Sequence, residues 1–196
     1  MTKYVCSISA VNGSAEGEKS EKIEQKTRIS PPVLDRFITG QSYLTGTTLD
    51  NVSIVHAPIY SRAGDYIANG SVTNGAIKLY LNNNNKIIPG ETYTVYVLDG
   101  KLGADGTIQS MPAYAEIIIP DISLDDVKTA GHISGTTEPN IQVRIYINDV
   151  AKTVVTVGND GKYSWEAGIL TAGDVVKVET KVGSVYSSFK EKTVTQ

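Results

Sequence analysis

One short pattern occurs twice in this chain, and this duplication constrains the fold more than any other feature. Residues 46–54 read GTTLDNVSI, and residues 135–143 read GTTEPNIQV, which is an offset of 89 positions. A second match follows in the same order, since 89–95 (PGETYTV) corresponds to 172–178 (AGDVVKV) with an offset of 83. The chain therefore carries one unit twice, and the first copy is the longer one.

Strand signals dominate both copies. Residues 92–97 and 142–147 place apolar side chains at every second position, which gives a strand one buried face and one wet face, as in antiparallel sheets. Three dipeptides, at 69–70 (NG), 74–75 (NG) and 160–161 (DG), are predicted to form tight turns because Asn, Asp and Gly tolerate a positive φ. Since no long 3.6-residue periodicity with helix caps is found, we expect an all-β fold with little helix.

Three motifs follow one another in the second copy. They are 132–140 (HISGTTEPN), 159–165 (NDGKYSW) and 170–174 (LTAGD). In this order they resemble the tandem bacterial immunoglobulin-like domains of surface proteins, and the resemblance implies a β-sandwich. The first copy follows the same plan with departures: Leu79 stands where the second copy has Trp165, and we expect Leu79 to fill that core position.

The N-terminal segment has a pattern of its own. Residues 4–20 read YVCSISAVNGSAEGEKS, which resembles the last hairpin of a fibronectin type III domain. An isolated hairpin is marginally stable in water. Three accounts stay open: a preceding domain has been cut away, the hairpin completes a sheet on a neighbouring subunit by strand addition, or it packs on the first unit as extra strands. A disordered tail is the fourth alternative.

These features together predict an all-β chain of two tandem immunoglobulin-like β-sandwiches, preceded by a β-hairpin or strand-exchanged arm. We expect the arm at 1–29, an immunoglobulin-like domain at 30–120 and a bacterial immunoglobulin-like domain at 121–196. A Pro pair at 31–32 fits the first boundary, because Pro lacks the backbone donor that a sheet ladder needs.

Composition argues against several classes of partner. A net charge of −3 is unfavourable for a nucleic-acid binder, which needs a concentrated basic face. No stretch approaches the roughly 18 apolar residues of a membrane span, and the start shows no secretory signal. Cys6 is the single cysteine, so an internal disulfide is excluded.

Candidate catalytic and metal-binding residues are few. His56 and His132 are the only histidines and fall in different copies, so we expect no catalytic triad, no enzyme activity and no cofactor. Asp121, Asp125 and Asp126 place oxygen ligands at the boundary between the copies. Whether calcium binds there stays open, since solvated turns account for these residues equally well and the EF-hand spacing is missing.

A possible interaction surface lies in the part of the chain that makes the first copy longer. Tyr60, Arg62, Asp65 and Tyr66 combine the aromatic and Arg character favoured at protein interfaces. A long loop at the end of a sandwich would present them, since loops commonly carry binding residues. Ordinary strand or loop packing is the alternative.

The first functional hypothesis is a non-enzymatic structural or adhesive module, most specifically a surface-exposed head or tail protein of a bacteriophage virion. It is motivated by a bacterial-type module on a chain with its own Met and neither signal nor anchor. The arm would attach it to other protein subunits, and a host-cell surface protein or glycan is a further possible partner. The second is a fragment of a multi-domain bacterial cell-surface adhesin or stalk, which would be located at the cell surface or outside the cell. The third is a carbohydrate-binding accessory module.

Overall fold

The computed structural model describes residues 3–26, 29–49, 54–100 and 102–196, and within these ranges every regular element is a strand. The predicted all-β fold is therefore confirmed. No helix in this part of the chain is long and apolar enough to cross a membrane. The strands are β1 (Lys3–Cys6), β2 (Val11–Asn12), β3 (Ala15–Glu16), β4 (Ile23–Lys26), β5 (Val33–Leu34), β6 (Phe37–Ile38), β7 (Tyr43–Thr47), β8 (His56–Tyr60), β9 (Tyr66–Thr73), β10 (Ala76–Tyr80), β11 (Thr92–Val95), β12 (Ala113–Ile118), β13 (His132–Thr136), β14 (Gln142–Ile147), β15 (Val150–Thr156), β16 (Lys162–Glu166), β17 (Val175–Val182) and β18 (Val185–Thr193).

The N-terminal segment forms one antiparallel ribbon, here called the arm (residues 3–26). Strands β1 and β4 pair, as do β2 and β3. Two backbone hydrogen bonds connect these pairs, from Gly17 to Ala10 and from Ser20 to Ile8, both at 2.8 Å. Side chains 5–22 are exposed except for the half-buried Ser9. The predicted hairpin is confirmed, and these side chains do not pack as extra strands on a core.

An eight-stranded sheet follows, in the order β5-β7-β10-β9-β8-β11-β12-β6. The pair β12 and β6 is parallel, with Ile117 opposite Phe37. Leu79 in β10 is fully buried, as predicted for the counterpart of Trp165. A hydrophobic cluster in this part of the chain is formed by Ile29, Ile54, Ala57, Val72, Ile77 and Val97.

The C-terminal strands form a two-sheet sandwich. Strand β13 pairs with β16, and the second sheet has the order β15-β14-β17-β18. The inward side chains alternate along each strand and share one core, which is what a half-buried antiparallel strand requires. Ile133, Val143, Ile145, Val176 and Val178 are completely buried in it.

The chain divides into two compact units, and each unit is assembled from three separate stretches of sequence. The core of the second includes Ile38, from a stretch early in the chain. The domain limits expected from the sequence, at 29/30 and 120/121, stay a prediction. The first unit is Met1–Asp35, Thr45–Leu79 and Tyr93–Ala115, and the second is Arg36–Leu44, Tyr80–Thr92 and Glu116–Gln196.

The glycine that opens the repeated pattern lies against a backbone carbonyl oxygen at a similar distance in both copies. A Cβ on Gly46 would lie 2.4 Å from the carbonyl oxygen of Val33, and one on Gly135 would lie 2.3 Å from that of Ser123. Both contacts are far too short for a side chain, so only glycine admits the neighbouring backbone. Residues 50–53 of the first pattern lie outside the described residues.

A hydroxyl–carboxylate bond is also duplicated. Thr45 Oγ1 donates to Asp35 Oδ2 at 2.6 Å, and Ser134 Oγ donates to Asp125 Oδ2 at 2.6 Å. The backbone N–H of each Asp donates to the carbonyl of the same partner, at 2.9 Å in both cases. The two copies therefore repeat local geometry as well as sequence.

The turn predictions at 74–75 and 160–161 are confirmed, since Asn74, Gly75 and Gly161 have φ of 50°, 79° and 77° in turns between strands. The prediction at 69–70 is wrong, because both residues lie inside β9. A Cβ on Gly70 would lie 2.8 Å from the carbonyl oxygen of Lys78, so this glycine serves close strand approach rather than a turn.

Candidate functional site

Three tyrosines meet in the first unit, two of them in strands and one directly after a strand, and we call them the tyrosine cluster (Tyr60, Tyr66 and Tyr96). Tyr60 ends β8 and pairs directly with Tyr66, the first residue of β9. Tyr96 follows β11 and donates its N–H to the carbonyl of Pro58 at 3.1 Å. The ring of Tyr60 lies 5.9 Å from each of the other two rings, at 72° and 73°. This edge-to-face geometry is the favourable one for aromatic pairs, at about 0.5–1.5 kcal/mol per pair beyond burial.

The central ring is half-buried, whereas the ring of Tyr66 is 45% exposed. Burial raises the pKa of Tyr60, and the neighbouring hydroxyls of Tyr66 and Tyr96 add to this effect. The hydroxyl of Tyr60 is therefore a neutral donor and acceptor at physiological pH. The tyrosine cluster offers rigid amphipathic contact area, which suits non-covalent recognition.

A tight five-residue connection, at 61–65, joins the strands that carry Tyr60 and Tyr66. The N–H of Ser61 donates to the carbonyl of Asp65 at 2.9 Å, and the N–H of Asp65 donates to Ser61 Oγ at 3.1 Å. The sequence predicts a long loop here, but the connection is a short hairpin, because Ser61 and Asp65 hydrogen-bond to each other across it. Asp65 serves the turn, and Arg62 lies exposed at its tip.

The structure therefore brings Tyr60 and Tyr66 into contact, places Arg62 on the connection between them, and adds Tyr96, which sequence reasoning missed. The alternation along 92–97 puts Tyr96 on the polar face of the strand pattern, and this is the only feature of the sequence that indicates a surface role for Tyr96. Its neighbour Tyr60 is 36 positions away in the sequence, so only the register of β11 on β8 identifies the contact.

The three aspartates considered for calcium are used separately. Asp121 Oδ1 accepts the N–H of Ile122 at 2.8 Å. Asp125 accepts from Ser134, which repeats the bond of the first copy. Asp126 accepts from Lys192 at 2.7 Å, and this bond lowers the pKa of Asp126. Across the described ranges, no group of three or more His, Cys, Asp or Glu residues is arranged to hold a metal ion.

Both histidines make cross-strand contacts. His56 Nδ1 lies 3.0 Å from Asn69 Nδ2, between β8 and β9. His132 Nδ1 lies 2.5 Å from Glu166 Oε1, and these two residues are directly opposite each other in β13 and β16. Polar pairs of this kind are typical of exposed sheet faces, and we assign both histidines to strand pairing.

Comparisons with known proteins give structural likeness only. No protein-family model matches the chain, and no curated protein matches it. A solved biofilm associated protein BSP domain is 17% identical, with a TM-score of 0.38 over 85% of this chain and 29% of that one. A two-domain fibronectin type III segment of chicken tenascin is 13% identical, with a TM-score of 0.35 over 85% of this chain and 98% of that one. A tetra-tandem repeat from the extending region of a large adhesion protein is 18% identical, with a TM-score of 0.31 over 98% of this chain and 55% of that one.

These neighbours are a domain of a biofilm associated protein, a fibronectin type III segment and a tandem repeat of a large adhesion protein. The chain spans less than a third of the BSP structure and about half of the adhesion repeat structure. With every TM-score below 0.5, no activity or partner of this chain follows from them.

Proposed function

We propose that this chain is a non-enzymatic structural and adhesive module, attached to a larger assembly through its arm. The observation that carries the proposal is the exposure of apolar side chains along the arm. Val5, Ile8 and Val11 are 51%, 75% and 68% exposed on a ribbon that is paired along its length. A two-stranded ribbon with no core of its own is marginal in water, so a partner surface is needed to cover it.

A protein subunit is the partner that fits the arm best. The arm presents open strand edges, and strand addition satisfies the unpaired backbone groups of such an edge while apolar side chains enter the partner. Interleaved charges, such as Glu16 and Lys19, keep the ribbon soluble before it docks. The arm therefore supports assembly with a neighbouring subunit.

The tyrosine cluster supplies a second contact surface. Rigid Tyr rings beside an exposed Arg are enriched at protein interfaces, because they bury much area at a small entropic cost. The hairpin that carries Arg62 is closed by its own hydrogen bonds, so little ordering is required on binding. We assign to this surface a protein partner outside the assembly, such as one on a host cell.

The specific form of the proposal is a head or tail protein of a bacteriophage virion, located at the virion surface. A virion is a multi-subunit particle, and the arm supplies the kind of attachment that such a particle needs. Sandwiches joined in tandem then act as spacer and decoration. Fold alone does not select this use over others, so the assembly itself has to be tested.

Deleting residues 1–28 tests the role of the arm while keeping Ile29, which is buried in the first core. We expect the shortened chain to unfold with the same cooperativity as the full chain and to be lost from purified particles. A matched pair keeps the ribbon and its charges: Val5, Ile8 and Val11 changed to Thr, against the exposed polar residues Ser7, Asn12 and Ser14 changed to Thr. Only the first set should abolish incorporation, and normal incorporation of that set would refute attachment through the arm.

A second candidate is a fragment of a multi-domain bacterial adhesin, favoured by the likeness of the arm to the closing hairpin of a fibronectin type III domain. The arm would then belong to a preceding domain. Density-gradient fractionation of infected and uninfected cultures, with an antibody to this chain, separates the two. Antigen of about 21 kDa in a DNA-containing particle supports the virion protein. Antigen of several times that mass in the cell envelope supports the adhesin.

A further inference from the structure

The outer face of the sheet β15-β14-β17-β18 carries a continuous row of rings and cations. We call it the aromatic–cationic face and define it by Arg144, Tyr146, Lys177, Tyr186 and Phe189. The strand register brings them together, since Tyr146 lies opposite Lys177, and Glu179 lies between Arg144 and Phe189. The alternate residues of β14 and β17 point the other way into the core of the second unit. The face belongs to the second unit, whereas the arm and the tyrosine cluster belong to the first.

Arg144 and Lys177 each contact two rings. The guanidinium carbon of Arg144 lies 5.4 Å from the ring centroid of Tyr146 and 5.6 Å from that of Tyr186. Lys177 Nζ lies 5.2 Å from the Tyr146 centroid and 4.8 Å from the Phe189 centroid. The order is ring, cation, ring, cation, ring, and every neighbour is within cation–π range. Such a row holds its side chains in place before a ligand arrives.

Hydrogen bonds fix the same row further. Arg144 Nη1 donates to the hydroxyl of Tyr186 at 2.8 Å, and this bond raises the pKa of Arg144. The hydroxyl of Tyr146 donates to Glu179 Oε2 at 3.0 Å. One ring edge of each tyrosine is thereby anchored. The rings of Tyr186 and Phe189 keep 38% and 54% of their residue surface open to solvent.

The charge of the face differs in sign from that of the chain. The chain carries −3 overall. The face presents three cations, Arg144, Lys177 and Lys181, against the carboxylates of Glu179 and Glu191, which the register places on the same side. A modest local excess of positive charge among exposed rings is complementary to a ligand with spaced anionic groups.

Several ligand classes fit this composition poorly. A small molecule prefers a concave pocket that buries most of its surface, whereas this is the outer face of a sheet. Lys and Glu are depleted from the cores of protein interfaces, yet here they are interleaved with the rings. A nucleic-acid site needs more concentrated positive charge than three cations beside two carboxylates.

We propose that the aromatic–cationic face binds an acidic polysaccharide, a polymer of sugars that carry carboxylates. The rings of Tyr186 and Phe189 stack against the apolar faces of the sugar rings. Arg144 and Lys177 bind the carboxylates, with Arg able to do so through two parallel hydrogen bonds. An extended polymer gains affinity from repeated weak contacts along a flat face. This inference goes beyond the proposed function and depends on neither the arm nor the tyrosine cluster.

Affinity electrophoresis of the full chain tests the inference, with polygalacturonate, neutral dextran or a DNA oligomer of mixed sequence in the gel. We expect retardation by polygalacturonate, weakened by added salt because the carboxylate contacts are exposed. Dextran should have little effect. Equal retardation by dextran, or retardation by DNA alone, would overturn the proposal.

Variants locate the site. Tyr186→Ala with Phe189→Ala, and separately Arg144→Gln with Lys177→Gln, should each weaken polygalacturonate binding by about tenfold, which corresponds to about 1.4 kcal/mol. The second pair should also make the remaining binding less sensitive to salt. Matched controls are Tyr114→Ala, a ring that is 69% exposed in the first unit, and Lys162→Gln on the other sheet of the second unit. Thermal unfolding checks that each variant is folded. Folded face variants that bind as well as the controls would place the site elsewhere and refute the assignment.

Discussion

Arg36 and Glu138 form a bidentate ion pair across 102 positions of sequence, with Nη1 2.5 Å from Oε2 and Nη2 2.7 Å from Oε1. Both residues belong to the second unit. The carboxylate side chain is 18% exposed and its partner 58%. The hydrogen bonds to Glu138 raise the pKa of Arg36. The pair anchors the short stretch that carries the buried Ile38.

Breaking this pair should lower the free energy of unfolding by about 0.5–1 kcal/mol, since a bidentate pair is at the upper end for exposed ions. Arg36→Gln, Glu138→Gln and the double variant form a cycle that is measured by urea denaturation. The double variant should be no less stable than the worse single variant. The singly bonded pair Lys192 and Asp126 is the control, with a coupling near zero. Additive losses at Arg36 and Glu138 would show that the pair contributes nothing beyond each residue alone.

The buried hydroxyl of Thr180 holds a bulge between β17 and β18. Its Oγ1 accepts the N–H of Ser188 at 2.9 Å and lies 2.9 Å from Ser187 Oγ. Thr180→Val keeps the shape but leaves that N–H without its acceptor, which should cost about 1–3 kcal/mol. Thr156→Val, the same change at an exposed strand position, should alter stability by less than about 0.5 kcal/mol. Equal effects in chemical denaturation would mean that the hydroxyl at Thr180 is dispensable.

The titration of Tyr163 should make the free energy of unfolding decrease as the pH becomes alkaline. Its hydroxyl donates to the carbonyl of Ser123 at 2.5 Å, and burial, with a smaller effect from the charge of Asp125, raises the pKa of Tyr163 well above its ordinary value. The folded chain thus keeps the proton that the unfolded chain loses above pH about 10. Stability from this group is complete below that pH and declines above it.

Urea denaturation between pH 8 and 11 measures the effect. Tyr163→Phe should cost about 0.5–1.5 kcal/mol at neutral pH through the lost hydrogen bond, and it should make the alkaline decline shallower. The exposed ring of Tyr114 supplies the control, and Tyr114→Phe should change stability at neutral pH by less than about 0.5 kcal/mol. An unchanged alkaline slope in Tyr163→Phe would contradict the prediction.

Asp174 should contribute to acid denaturation. It accepts from Asn148 Nδ2 and from the N–H of Thr171, both at 2.9 Å. These bonds lower the pKa of Asp174, with the contact to Asn148 the larger cause. The stabilisation is therefore present above the unfolded pKa of about 4 and is lost as the pH falls through the folded value.

Asp174→Asn removes that titration, so its stability should fall less steeply than that of the parent chain between about pH 5 and 2. Stability at pH 7 should be lower, because an amide nitrogen replaces one of the two accepting oxygens. Asp149→Asn is a matched control at an exposed turn position with φ of 62°, which Asn also tolerates. If the stability of Asp174→Asn and that of the parent chain fall equally steeply at acid pH, Asp174 does not contribute to acid denaturation.

Local patterns in the sequence are sufficient for the fold class and the duplication. Strand alternation and the repeated pattern identify two related β units, and the turns at 74–75 and 160–161 follow from residue type. The same reasoning fails at 69–70, where Gly70 is required by the approach of β10 rather than by a turn. The dipeptides at 69–70 and 74–75 are both Asn-Gly, so only the neighbouring strand distinguishes the two sites.

The features that could not be predicted from the sequence depend on contacts between residues that are far apart in the chain. The tyrosine cluster depends on the register of β11 on β8, and the aromatic–cationic face depends on the registers of β14, β17 and β18. A one-residue slip in either place would turn these side chains to the other face. Sequence spacing carries no such register, and it could not reveal the partner of Glu138 either.

Near the C-terminus of the second unit, two parallel segments are arranged so that the way their hydrogen bonds are loaded depends on the direction of pulling. Lys128 and Thr195 form a parallel bridge, with the N–H of Thr195 donating to the carbonyl of Val127 and the N–H of Thr129 donating to that of Thr195, both at 3.0 Å. Tension applied between the chain before Val127 and the chain after Thr195 pulls these parallel segments in opposite directions. The hydrogen bonds between them are then loaded together in shear instead of being opened one after another.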